Sequence, residues 1–310
     1  MSEIKRDAMN LDANESAFFK KQLEYVKSKT YDVKYAPNKA LGLFPISTEA
    51  GEAASEITWR QYSKVGLARL VSDYAQDFPR VDIYGTETSV KIHEIGASYG
   101  YSIMEIRKAA MAGVALETRR ATVAREAIEK KLNTIALDGE STANITGFLS
   151  YTGNTEYTVT SGAAGYTWAV KTADEILEDM NGIVEAVLTA TNGIEQPNTM
   201  LMPLEQYLLI GRKRIGTDSI GKTVLTYFLE NNPYIKRIEW LTELKTAGAD
   251  DSCRFMVFPN DADHISFEIP VPFEQFEADK KALTYEIPCL ARTAGIIEYY
   301  PVSIAYGDGI

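Results

Sequence analysis

Residues 216–223 read G-T-D-S-I-G-K-T, which are the residue types and spacing of a phosphate-binding loop. In such a loop Gly216 and Gly221 let backbone N–H groups curl round phosphate oxygens, Lys222 reaches the terminal phosphates and the Thr223 hydroxyl holds Mg²⁺. The chemistry requires a buried strand to deliver the first glycine and a helix to follow the last. Here the preceding residues are I-G-R-K-R-I, the tail of a helical pattern that carries three consecutive cations. The nearest aliphatic run that could end in a Mg²⁺-binding aspartate, F-M-V-F-P-N-D, places Pro259 and Asn260 before Asp261. The stretch therefore predicts an inter-helix loop in which Asp218 or Ser219 caps the helix V-L-T-Y-F-L, and a P-loop NTPase is the weaker alternative. Arg212, Lys213 and Arg214 read as a solvated charge run.

Other chemistry is sparse. His93 and His264 lie far apart in sequence, and neither belongs to a His/Cys cluster with metal-ligand spacing. Asp250-Asp251 and the Asp261/Asp263 pair read as solvated turns, because no glycine-bearing twelve-residue loop frames them for Ca²⁺. There is no G-x-S-x-G and no C-x-x-C; Cys253 and Cys289 leave room for at most one bridge. No catalytic residue, cofactor or metal is expected. Eighteen Tyr and eleven Phe against two His describe an interface-rich protein rather than an enzyme. With 43 acidic and 32 basic side chains the formal charge is −11, a field that opposes tight, salt-sensitive binding of nucleic acid. The first residues lack the apolar run of a signal peptide, and no segment approaches the roughly 18 apolar residues of a membrane span. The expectation is a soluble, cytoplasmic chain with no membrane partner, in which the sequon Asn144-Ile145-Thr146 has no glycosylation role.

These side chains have to be positioned by elements, and the order of the elements is informative. Residues 1 to about 50 are mixed and polar, with one short amphipathic stretch (Phe18, Phe19, Leu23 and Val26) and then A-P-N-K-A-L-G-L-F-P, where Pro37, Gly42 and Pro45 argue against regular structure. This predicts an extended arm, held by another surface or another subunit. Phe18, Phe19, Leu43 and Phe44 are its candidate inter-subunit anchors. From Glu56 to Ser98 apolar and polar residues alternate, which predicts a two-stranded excursion with Gly85-Thr86 as a turn. Ser102-Ile103-Met104-Glu105 has the form of a capping box and opens a helical run to Leu137. At ~1.5 Å per residue, these 35 or so residues would form a rod of roughly 50 Å. Asp138-Gly139 stops it. A Gly, Ser and Thr-rich connection leads to a helix from about Thr172 that ends at Asn192-Gly193. A strand T-M-L-M-P, a helix L-E-Q-Y-L-L-I-G-R and a β-rich C-terminal third follow.

Arm, long hairpin, very long helix, glycine-rich connection, α/β middle and β-rich end, together with the segments P-N-T-M-L-M-P-L-E-Q-Y and R-T-A-G-I-I-E-Y-Y-P-V-S-I-A-Y, resemble the tailed-phage major capsid protein with the Hong Kong 97 phage fold. Encapsulin shells share that fold and are the alternative. The resemblance implies an α+β chain with an N-terminal arm at 1–55, an extended loop at 56–92 overlapping a neighbouring subunit, and a peripheral domain at 93–171 whose spine helix is 102–137. It further implies an axial domain at 172–258 and return strands at 259–310. The function implied is structural: self-assembly into hexamers and pentamers of an icosahedral shell around double-stranded DNA, within a virion formed in a bacterial host. Its partners would be itself, a separate scaffolding protein, portal and decoration proteins, and DNA held by weak non-specific contact. The spine-helix cations Arg119, Arg120 and Arg125 would face the lumen. The Lys, Asn and Glu of the cross-linking chemistry seen in some relatives have no matched positions in this sequence.

Overall fold

A computed structural model describes residues 37–66, 80–112, 119–216 and 221–310. The description below concerns Asn38–Ile310. Its elements begin with a four-residue helix α1, Ala40–Leu43, and a two-residue strand β1, Ile46–Ser47. A long ribbon follows, β2 (Glu56–Val65) paired antiparallel with β3 (Asp82–Lys91) over ten residue pairs. β4 is His93–Ser102, α2 is Ile103–Ala112 and α3 is Arg119–Leu137. β5 (Gly139–Glu140) and β6 (Ile145–Thr146) make a tight hairpin, and β7 is Thr155–Tyr157. Next come α4 (Ala173–Ala190), β8 (Thr199–Met202), α5 (Leu204–Arg212), α6 (Val224–Asn231) and β9 (Arg237–Trp240). The C-terminal strands are β10 (Arg254–Phe258), β11 (Ile265–Glu268), β12 (Val271–Gln275), β13 (Asp279–Lys281), β14 (Thr284–Thr293), β15 (Gly295–Glu298) and β16 (Ala305–Asp308).

The helices form where the sequence supplies both a cap and a stripe. On α3 the buried Ala124, Ile128, Leu132, Ile135 and Ala136 recur at helical spacing and pack on β4 and β14. α4 opens on a complete capping box, with the Thr172 hydroxyl accepting from Glu175 N and the Glu175 carboxylate accepting from Thr172 N at 2.7 Å. It ends where Asn192 and Gly193 take positive φ, 52° and 76°. At the start of α2, Glu105 accepts from Ser102 N at 3.0 Å while the Ser102 hydroxyl accepts from Met104 N at 3.2 Å.

Two buried clusters are built around a five-stranded sheet in the order β7-β16-β10-β8-β9. Side chains alternate across a strand, so Met200, Met202, Phe255 and Val257 face α4 and α6 in one cluster. Leu201, Met256 and Phe258 face α3, Phe148 and the C-terminal sheets in the other. A three-stranded sheet, β1-β11-β15, and a four-stranded sheet in which β14 pairs with β4, β12 and β13 complete the second cluster.

Three sequence expectations change here. Gly85-Thr86 is not a turn: both residues lie inside β3, opposite Tyr62 and Gln61, and a Cβ at Gly85 would come within 3.1 Å of the Tyr62 ring. That glycine makes room for an aromatic ring across the ribbon instead of bending the chain. Pro37 and Pro45 do not prevent regular structure between them, since Ala40–Leu43 closes one helical turn. Finally, Leu43 and Phe44 are not free to anchor the arm on a neighbour. Both are buried in their own subunit, where Phe44 meets Phe148 at 4.9 Å and Phe258 at 5.9 Å between ring centroids. Phe18 and Phe19 lie outside the described residues.

Candidate functional site

The phosphate-loop resemblance fails on its own residues. It is preceded by α5, not by a strand, and the chain re-enters through an isolated bridge between Arg214 and Thr223, with Ile215 N donating to Lys222 O at 3.0 Å. The Thr223 hydroxyl is the N-cap of α6, accepting from Thr226 N at 3.3 Å. Asp218 and Ser219, which lie outside the described residues, are therefore not the cap. The Lys222 ammonium is paired with Glu230 on the same helix. A hydroxyl used as a cap and an ammonium neutralised by a carboxylate are both committed to α6, so the match is one of spelling. The neighbouring charge run is not fully solvated either: Lys213 turns inward and donates to the carbonyls of Lys171 and Trp168.

The three candidate cations on α3 have different surroundings. Arg120 forks onto Glu105 at 3.1 and 3.2 Å, donates to the Gly100 carbonyl and lies 4.8 Å from the Tyr101 ring centroid. Its hydrogen bonds, followed by that of Ser102 N, hold the Glu105 carboxyl below the usual carboxylate range. Arg120 thus ties the start of α3 to the start of α2 and the end of β4. Arg125 pairs with Glu129 one turn on, at 2.9 Å, with its guanidinium 5.8 Å from the Phe273 ring. Arg119 is exposed. The structure therefore leaves Arg119 and Arg125 on the helix surface and assigns Arg120 to a clamp.

The β2/β3 ribbon is exposed over most of its length. Only Ile57, Trp59 and Val90, at its base, are partly covered, and Trp59 stands edge-on to Tyr299 at 5.8 Å. Tyr62, Val65, Val81, Ile83 and Tyr84 are all more than half exposed. A two-stranded ribbon with apolar groups open to water on both faces is marginal alone, so the geometry calls for a covering surface.

A groove of about 460 Å³ between β4, α3 and β6 has an apolar floor that includes Ile95, Ile128, Ile135 and Ile145, and His93, Glu94, Lys131 and Glu140 also line it. Among the described residues no group of three His, Cys, Asp or Glu side chains could hold a metal, and Cys253 and Cys289 are both free thiols. Three polar arrangements went unseen in the sequence. Lys171 and Asp179 form an ion pair with both side chains 1% exposed, and Trp168 Nε1 donates to the same carboxylate at 2.8 Å. His264 lies between Asp261 and Glu195. Glu298 is buried on β15. Only the Asp261-x-x-His264 spacing was visible as a local signal; the other partners are remote in sequence.

Comparison with known proteins places this geometry. A family model described as major capsid protein matches residues 66–310. Among solved structures, the capsid of Myoviridae phage XM1 is similar with a TM-score of 0.78 at 17% identity, covering 94% of this chain and 98% of that one. A chain of Mycobacterium phage Bobi gives a TM-score of 0.60 at 15% identity, covering 97% and 100%. The capsid of a native GTA particle gives 0.64 at 12% identity, covering 96% and 99%. No curated protein matches.

Proposed function

The chain belongs to the major capsid protein family and is a structural protein of a capsid shell; on that premise we propose that it assembles into hexamers and pentamers of an icosahedral shell around double-stranded DNA. The observation that carries this reading is the β2/β3 ribbon, whose Tyr62, Val65, Ile83 and Tyr84 are more than half exposed. In a closed shell, a neighbouring copy covers them. The division into arm, extended loop, peripheral domain and axial domain follows the same reading, with the axial part at 172–258, from α4 to β10, and the return strands of the peripheral domain at 259–310.

In this reading the exposed face of α3 points to the lumen and offers Arg119 and Arg125 to packaged DNA. Each contact is weak, because solvated charges are screened beyond about 8–10 Å at physiological salt. A separate scaffolding protein, a portal and decoration proteins complete the proposed partner set, and assembly takes place in the cytoplasm of a bacterial host. Negative-stain microscopy of the purified chain tests the proposal: closed shells or capsomer rings are expected, and a chain that stays monomeric at all concentrations, with or without scaffolding protein, overturns it. Closure by the chain alone would remove the scaffolding protein from the set. Particles carrying Arg119→Gln and Arg125→Gln should close normally but retain less DNA; failure to close with unchanged DNA per particle would make these arginines interface residues.

A further inference from the structure

His264 sits just before β11, and both of its ring nitrogens face carboxylates. Nδ1 lies 2.5 Å from Asp261 Oδ1 in its own turn, and Nε2 contacts Glu195 Oε2 in the loop between α4 and β8. Asp261 Oδ1 is fixed in place by the backbone N–H groups of Asp263 and His264, each at 3.1 Å. The Tyr300 ring lies 5.5 Å from the imidazole. A neutral imidazole has one N–H and one bare nitrogen, so it can donate to one of these carboxylates and must turn a lone pair toward the other. Only the imidazolium donates to both.

The loop held in this way is tied to the end of α4, where the N–H groups of Asn192, Gly193 and Ile194 donate to the carbonyls of Thr189, Leu188 and Thr191 at 3.3, 2.7 and 3.2 Å, and Pro197 is buried at its far end. It starts at Asn192 and Gly193, both at positive φ, carries Ile194 at 78% exposure, and is pinned again at Asn198. There the side chain accepts from Asn260 N at 2.9 Å and the backbone N–H donates to Phe258 O at 3.2 Å. Between these points the bonds of Glu195 run to His264 and, through its N–H, to the Thr191 hydroxyl at 3.3 Å. We propose that His264 is a proton-operated clasp: the imidazolium ties the loop 192–197, through Glu195, to the turn 260–264, and loss of its proton releases that tie and loosens the loop, while the backbone bonds to α4 and those of Asn198 and Asn260 hold the rest of the junction closed.

The ionisable groups facing the ring support the direction. Burial opposes the charge, but hydrogen bonds and charge attraction from Asp261 and Glu195 outweigh it and raise the His264 pKa above 6.5. A group with a raised folded-state pKa stabilises fully below its unfolded value and loses that contribution as pH rises through the folded value. The clasp is therefore closed below the ordinary histidine value and opens as pH rises through the raised folded-state value.

The test compares the full chain with His264→Gln and Glu195→Gln by melting temperature from pH 5.5 to 9.5, together with hydrogen exchange of residues 192–197 corrected for the intrinsic pH dependence. Wild type should melt above His264→Gln below about pH 6.5, and the difference should fade as pH rises. Protection of 192–197 should fall over the same range. Glu195→Gln should move that fade to lower pH, and it keeps the test valid if His264→Gln does not fold. A difference between wild type and variant that is constant with pH, or protection of 192–197 that does not follow it, overturns the clasp.

Discussion

Glu298 has an uncommon setting for a carboxyl group. It is 3% exposed, its Oε1 has no partner, and the hydrogen bond available to Oε2 is from Asn154, whose amide nitrogen, turned toward it, lies 3.0 Å away. Burial pushes its pKa up to about 9, the Asn154 hydrogen bond opposing only in part. Between pH 4.5 and 9 the unfolded chain has released a proton that the folded chain keeps, so stability declines with rising pH at about 1.4 kcal/mol per unit. By pH 7 the loss is about 3 kcal/mol relative to acid solution. Glu298→Gln keeps the shape and is never charged. It should therefore melt higher than wild type at pH 7, with the advantage shrinking to nothing near pH 4.5. A variant that melts lower at pH 7 would mean that the carboxylate is held as the ion.

At the scale of elements, the end of α3 shows how closely backbone can approach backbone. Gly139 has φ +82°, and a Cβ there would lie 2.4 Å from Ile145 O; a Cβ on Gly147 would lie 2.2 Å from Gly139 N. The β5–β6 hairpin can close under the helix only because both residues lack side chains. Gly147→Ala should cost on the order of 3–5 kcal/mol, in the tail of single-substitution effects, whereas Gly42→Ala, with nothing within 4 Å of the added carbon, should be close to neutral. Denaturant melts of the two variants decide it, and equal midpoints would refute the close-packing account. The stop at Asp138-Gly139 was legible because glycine after an apolar stripe has a local cause. So were the stripes of α3 and α4, since Ile128, Leu132 and Ile135, or Ile176, Met180 and Ile183, declare their face by spacing alone. Gly85 misled because a glycine under a cross-strand ring and a glycine in a turn look alike in one dimension. Arg120 misled for a related reason: its partners Gly100 and Glu105 stand 20 and 15 positions earlier, and pairing over such distances leaves no pattern in the sequence. The family-level assembly role was legible in the order of elements, while the cis burial of Leu43 and Phe44 was not.

At the scale of the whole molecule, that burial decides where the chain can be cut. Removing residues 2–36 leaves Ala40, Leu43 and Phe44 in place and so keeps their buried contacts; if the arm makes contacts between subunits, such a subunit closes shells poorly. Removing residues 2–45 also deletes the Phe44 contacts with Phe148 and Phe258 and the Asn133 Oδ1 bond to Ala40 N, and should lower the melting temperature sharply. Equal melting of the two truncations would show that this segment contributes little to the core. The five-stranded sheet between the two buried clusters has a consequence of another kind. On β10, Phe255 and Val257 belong to one cluster and Met256 and Phe258 to the other. A slip of one residue along β8 or β16 would exchange the two sets, for example driving the Phe255 ring into the space shaped for the Met256 thioether, and would mismatch both faces at once. The alignment of this strand is thus specified twice, by two independent volumes, and a misaligned intermediate gains from neither.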